Sequence, residues 1–175
     1  MTTLKVLEHV VSREGIAPDP EKLRSVTDFP SCNEGKTQAD KIKRVQSFFG
    51  LCSYYRKHTP GFSKMALPLI LLTRKGQPFV WGKDQQDSFD QLKTALLSAP
   101  ILPQPNFTLP MIILPDACGM GIGAVLSQKV NGKEHPLAYA SRLLTSSEVN
   151  YSITEKECLT LIWSLQKFRP LIWGC

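Results

Sequence analysis

No stretch of this 175-residue chain contains 18 or more consecutive apolar residues, so none of it spans a bilayer as a helix. The N-terminus, MTTLKVLEHVVSREGI, carries charges at positions 5, 8, 13 and 14 and lacks the apolar core of a secretory leader. Paired cysteines are missing too. The five present (Cys32, Cys52, Cys118, Cys158, Cys175) are odd in number and contain no Cys-x-x-Cys. That favours free thiols in a reducing compartment over a disulfide framework or a zinc site. Acid is scarce in one place above all. Residues 36–75 hold nine Lys or Arg against a single Asp40, while the whole chain sums to +6. The basic excess therefore sits in one segment. With 42% apolar and 21% charged residues, the composition is that of a globular chain, not a disordered one.

What is present reads as a mainly helical first half and a β-β-β-α second half. Residues 4–17 predict a β-hairpin with Arg13-Glu14-Gly15 as its turn. Asp19-Pro20 opens a helix that ends before Pro30, and residues 31–37 are a polar loop. In the next helix Ile42, Val45, Phe49 and Cys52 make one apolar stripe, and Pro60-Gly61 stops it. A short helix over 62–73 follows, then one capped by Asp84 with Phe89, Leu92 and Leu96 as its core row. Residues 98–110 contain four of the 13 prolines and predict a stiff, extended linker at a domain boundary. Strands are expected over 111–116, 121–129 and 134–141, with Asn131-Gly132 turning the last pair. A closing helix over 148–168 presents Cys158, Leu161, Ile162, Leu165 and Phe168 as its apolar face.

Two acidic positions attract attention. Asp116 ends an apolar strand, and Glu155 and Glu157 lie on opposite flanks of the closing helix's apolar face. Periodicity does not choose between the two glutamates. A carboxylate at a strand end facing one on a packed helix is half of a two-metal nuclease site, in which paired Mg²⁺ ions activate water and stabilise the leaving oxygen. The glycine-rich Gly119-Met120-Gly121-Ile122-Gly123 superficially matches a dinucleotide fingerprint, but it lies between strands and reads as a turn. In the basic segment, Lys41, Lys43 and Arg44 precede Tyr54, Tyr55, Arg56 and Lys57, a mixture suited to phosphates with nearby stacking surfaces.

Ordered motifs connect these features. Asp116-Ala117-Cys118, Gly123-Ala124-Val125-Leu126-Ser127-Gln128, His135-Pro136-Leu137-Ala138-Tyr139-Ala140-Ser141-Arg142, Asn150-Tyr151 and Glu155-Lys156-Glu157-Cys158-Leu159 follow one another. Upstream come Phe48-Phe49-Gly50-Leu51, Tyr54-Tyr55-Arg56, Pro60-Gly61-Phe62-Ser63 and Phe79-Val80-Trp81. The whole series resembles gypsy-type LTR retrotransposon Pol polyproteins, over nearly the full chain. The resemblance implies an α+β fold: the end of the polymerase palm (1–17), a thumb/connection region (18–97), the linker (98–110) and an N-terminal part of an RNase H-like domain (111–175). It makes Asp116 and Glu157 the first two metal-binding carboxylates, with Mg (or Mn) as cofactor. It implies an RNA–DNA hybrid or primer–template duplex and the remainder of the polyprotein as partners, in an intracellular setting, cytoplasmic or nuclear.

The sequence also departs from that pattern. It has no Tyr-x-Asp-Asp, so the polymerase carboxylates are missing. The chain stops at Leu171-Ile172-Trp173-Gly174-Cys175, before the Thr-Asp-His strand that carries the family's third carboxylate. Cleavage by this chain alone is therefore expected to be impaired. Pro115 stands where Thr is usual and suits an edge strand, Glu8 replaces a common Gly, and His58-Thr59 replaces an apolar pair. The competing expectation is a non-catalytic nucleic-acid-binding or host-adopted protein that keeps only the basic module.

Overall fold

Two three-stranded antiparallel sheets flank a cluster of four helices, and a fifth helix packs on the second sheet. This α+β arrangement comes from a computed structural model that describes residues 3–173. Cys175 lies outside the described residues; Cys32, Cys52, Cys118 and Cys158 are free thiols.

The expected N-terminal hairpin is instead a three-stranded meander of β1 (Leu4–Val6), β2 (His9–Val11) and β3 (Ile16–Pro18). The unforeseen turn is Leu7-Glu8, with φ of 45° and 62°. Two non-glycine residues in the left-handed region cost on the order of 1 kcal/mol or more each. Outside contacts hold them there. The Tyr54 hydroxyl donates to Leu7 O, the Tyr55 hydroxyl to Glu8 O at 3.1 Å, and Lys22 pairs with the Glu8 carboxylate at 2.7 Å. The second turn is where it was expected. Gly15 there has φ of 141°, and a Cβ at that position would lie 2.1 Å from Leu102 O.

Helix α1 (Pro20–Thr27) begins as expected, with Asp19 accepting from Glu21 N at 3.0 Å. The loop at 31–37 is more ordered than its composition suggests: a 3-10 turn at Cys32–Glu34 buries Cys32. Helix α2 (Gln38–Tyr54) starts on a Thr37/Asp40 capping box. Its buried row is Val45, Phe48 and Cys52, continued by Tyr55, in place of the expected row through Ile42 and Phe49. Phe48 enters the core against Phe89, their ring centroids 4.4 Å apart, and Phe49 is left half-buried. Helix α3 (Phe62–Leu72) and helix α4 (Lys83–Leu97) complete the cluster, and Phe89, Leu92 and Leu96 are buried as anticipated. The cap of α4 is Gly82, not Asp84, because the Gln85 side chain accepts from Gly82 N at 3.0 Å.

Residues 98–110 are extended but strapped down at both ends. Ile16 and Leu102 exchange backbone hydrogen bonds of 2.8 and 2.9 Å, and Leu102 is buried. Farther along, Gln128 accepts from Asn106 N at 2.9 Å and donates to Asn106 O at 2.7 Å. Strands β4 (Met111–Ala117), β5 (Gly121–Val130) and β6 (Lys133–Leu143) follow in that spatial order, with Asn131-Gly132 as the second turn. Among the described strands β4 is an edge, and Pro115 lies on it.

A 3-10 turn at Glu148–Asn150 precedes α5 (Ile153–Ile172). Of its expected face the helix buries only Phe168. Thr160, Ser164 and Phe168 are fully or almost fully covered, whereas Cys158, Leu161, Ile162 and Leu165 are exposed. Small hydroxylated residues bring the helix axis close to the sheet, and their Oγ atoms bond back to Lys156 O and Leu161 O.

Replacing Leu96 by Ala should lower unfolding free energy by about 2–5 kcal/mol in chemical denaturation, the usual cost of a buried leucine cavity. A second expectation concerns His58, which is buried with Nδ1 3.4 Å from Pro100 O and Nε2 unpartnered. Burial pulls its pKa from 6.5 down to about 4. The unfolded chain therefore binds the proton more readily. The His58 contribution to stability should be constant above pH 6.5 and fall by on the order of 3 kcal/mol as pH drops towards 4. Denaturation curves across that window should flatten in His58→Leu.

Candidate nucleic-acid interface and carboxylate pair

The basic residues singled out in the sequence separate into two groups. Lys43 and Tyr54 are 11 positions apart on α2, about 16 Å along its axis. At the N-terminal end, Lys41 donates to Asn33 Oδ1 at 3.0 Å and lies 5.7 Å from the Phe79 ring centre. Arg44 reaches Ser31 O at 3.5 Å. Both side chains thus help hold the Cys32–Glu34 turn, and Lys43 is the exposed cation of the three.

Tyr55 does not belong to the surface set. It is fully buried, donates to Glu8 O, and burial raises its pKa to about 12. It is a core residue and cannot stack on a base. Tyr54, Arg56 and Lys57 do remain accessible. They form one wall of a cleft of about 440 Å³ whose other wall is Tyr139, Arg142, Trp163 and Lys167. Sequence reasoning missed this second wall. Its one readable signal was the i, i+4 spacing of Trp163 and Lys167 on a single helix face.

Electrostatics in the cleft are one-sided. Arg142 is neutralised by a bidentate pair with Glu148 at 2.7 and 2.9 Å, which holds that carboxyl down at about 2. Arg56, Lys57 and Lys167 have no such partner among the described residues. Burial alone lowers the Lys57 pKa.

The carboxylates are placed by simpler rules. Met111 and Ile113 pack towards Phe168, Trp163 and Leu171, so strand alternation points Asp116 to the opposite face of the sheet. There it shares a cross-strand row with Gly123 and Ser141 and lines a recess of about 70 Å³ with Ser63, Lys64 and Cys118. Of the two glutamates, Glu155 is taken up by the helix start: its carboxylate accepts from Ser152 N at 2.7 Å and Ser152 Oγ at 2.8 Å, which lowers its pKa. Glu157 is exposed on α5. Asp116 and Glu157 make no hydrogen bond or ion pair within the described residues, and no group of three or more His, Cys, Asp or Glu there could hold a metal ion. Two carboxylates without further ligands do not make a two-ion centre by themselves.

A β-β-β-α unit of this topology, joined through an extended strap to a basic helical cluster, has the architecture of the RNase H-like domains attached to polymerases. Residues 81–175 match the family described as the RNase H-like domain found in reverse transcriptase, and the chain belongs to that family. Over 99% of its length it is 36% identical to the retrovirus-related Pol polyprotein from transposon opus of Drosophila melanogaster, and over 98% it is 33% identical to that from transposon gypsy. It spans 18% and 17% of those relatives and is a fragment of a reverse transcriptase/RNase H polyprotein. The foamy viral protease-reverse transcriptase in complex with RNA/DNA hybrid superposes with a TM-score of 0.80 at 25% identity, covering 98% of this chain and 22% of that one. The same viral enzyme in complex with dsDNA gives 0.79 at 24% identity, covering 99% and 35%. Among the described residues no helix is long and apolar enough to cross a membrane.

Because Tyr55 is internal, Tyr55→Phe should cost about 1 kcal/mol of stability through loss of the Glu8 hydrogen bond. Its oligonucleotide affinity, measured by fluorescence anisotropy, should equal that of the parent chain.

Proposed function

We propose that this chain is a nucleic-acid-contacting part of a retrotransposon reverse transcriptase/RNase H polyprotein. It would grip an RNA–DNA hybrid or primer–template duplex through Lys43, Tyr54, Arg56 and Lys57, with Lys41 and Arg44 behind them. The observation that carries this reading is the uncompensated cations of the 36–75 segment that stay at the surface of a reverse-transcriptase fold. Residues 1–17 would be the end of the polymerase palm, 18–97 the thumb and connection, and 111–175 RNase H-like. The partners are the duplex and the rest of the polyprotein, in the cytoplasm or nucleus.

The parent's activities in this reading are RNA-directed DNA synthesis and hydrolysis of RNA in RNA–DNA hybrids. The family is generally dependent on a divalent metal. Asp116 and Glu157 are the carboxylates the reading assigns to Mg²⁺ or Mn²⁺ in the assembled polyprotein, completed by ligands from outside the described residues. Among the described residues no third His, Cys, Asp or Glu joins them in a group that could hold a metal ion. For that reason the isolated chain is a binder and not a nuclease, which is also what a host-adopted, non-catalytic descendant would be.

The test is a hybrid-cleavage assay with Mg²⁺ or Mn²⁺ beside a binding titration over salt. Expected are no cleavage above background and an affinity for hybrid duplex that falls steeply with salt, as counterion release requires. Lys43→Glu should weaken duplex binding roughly tenfold. Metal-dependent cleavage abolished by Asp116→Asn would instead establish a working nuclease.

A further inference from the structure

The cleft across the edge of β6 carries the Tyr54, Arg56 and Lys57 end of the basic segment into an enclosed space that a duplex surface does not need. One wall, Arg56 and Lys57, belongs to the 3-10 turn that follows α2. The other, Trp163 and Lys167, comes from α5, and Tyr139 of β6 forms the floor. Its volume of about 440 Å³ falls within the range of small-molecule pockets, about 300–1,000 Å³. That is room for a nucleotide or two along a strand and too little for the width of a double helix.

The lining chemistry is equally selective. Arg142 already has Glu148 as its counterion, and its guanidinium lies 5.8 Å from the centre of the Trp163 ring. Arg56, Lys57 and Lys167 have no acid against them in the cleft, whose lining contains neither Asp nor Glu. Lys57 is half-buried and the Tyr139 hydroxyl makes no hydrogen bond among the described residues, so both carry unmet polar capacity into the same space. Aromatic rings interleaved with cations are the pattern by which proteins hold unpaired bases and their phosphates. An acidic peptide would use the cations but leave the rings without a purpose.

We infer that this cleft binds single-stranded nucleic acid, seating phosphates on Arg56, Lys57 and Lys167 and bases or sugars against Tyr139, Trp163 and Tyr54. The inference rests on the reading of the chain as a nucleic-acid-contacting segment: it shares Tyr54, Arg56 and Lys57 with the duplex grip and adds Tyr139, Trp163 and Lys167 as the residues that take a single strand. RNA and DNA strands share the chemistry, so both are probes.

The experiment uses the full chain and four labelled ligands: oligo-dT, oligo-U, a blunt RNA–DNA duplex and a poly-glutamate peptide. Lys167 is exposed on α5, so Lys167→Glu should fold normally, as circular dichroism would verify. It should weaken oligo-dT or oligo-U roughly tenfold while changing blunt-duplex affinity less than about twofold. In a Trp81→Phe, Trp173→Phe background, either oligonucleotide should quench the fluorescence of Trp163. If only one strand type responds, that one is the ligand and the site stands. Failure of both single strands to bind, equal losses for strand and duplex, or preference for poly-glutamate overturns the inference. Failure of the duplex alone overturns the duplex-grip reading and leaves this site intact.

Discussion

The start of α3 is completed by the other half of the molecule. Its N-cap is Gly61 in the left-handed region, which has no side chain to offer the first free amides. Ser141 of β6, 78 residues away, accepts from Ser63 N at 3.0 Å and donates to Ser63 Oγ at 3.1 Å. This one polar contact fixes the helical cluster against the second sheet. It brings the Arg56–His58 turn to the β6 edge, and it sets Asp116 and Lys64 around the same small recess. The cleft and the recess are two sides of one junction.

A second tie acts at the other end of the cluster. The strained Leu7-Glu8 turn is held by Tyr54 and Tyr55, and the strand it leads into carries His9 against His58, ring centroids 5.6 Å apart. His9 Nε2, His58 Nε2 and Thr59 Oγ1 are buried there without hydrogen-bond partners. His58-Thr59 is the pair that stands where the resembled family has apolar residues. The cost of that replacement is visible as orphaned polar atoms, each worth about 1–3 kcal/mol when unsatisfied. Tyrosines that look suited to bases are thus divided: one clasps a turn from the interior, and the other does so while keeping its ring at the surface.

Much of this was legible in the residues. Asn131-Gly132, Asp19-Pro20 and the Phe89, Leu92, Leu96 row each carry a local signal strong enough to fix an element. The misreadings share a cause. Adjacent Phe48 and Phe49 offer two helical stripes only 100° apart, and packing against Phe89 selects one. On α5 the hydrophobic pattern indicates Leu161, Ile162 and Leu165, but close approach to the sheet favours Thr160 and Ser164, which no hydropathy scale would choose. The Leu7-Glu8 turn lacks glycine and asparagine, so only its distant clasps reveal it. For the proposed site, the sequence offers Asp116, Glu157 and the cations as candidates. It could not show that Glu155 is consumed by a cap or that Trp163 and Lys167 face Lys57, because those facts depend on how separate elements meet.

The outward-facing leucines and isoleucines of α5 bear on colloidal behaviour. Such a patch tends to drive association, and what opposes it here is the chain's own charge of +6 with an isoelectric point near 9.1. Repulsion of that kind reaches only about 10 Å at 0.1 M salt and about 3 Å at 1 M. Dispersion of the isolated chain is therefore an electrostatic property more than a property of its surface composition. Ionic strength sets both how firmly it holds a polyanion and how well its molecules stay apart.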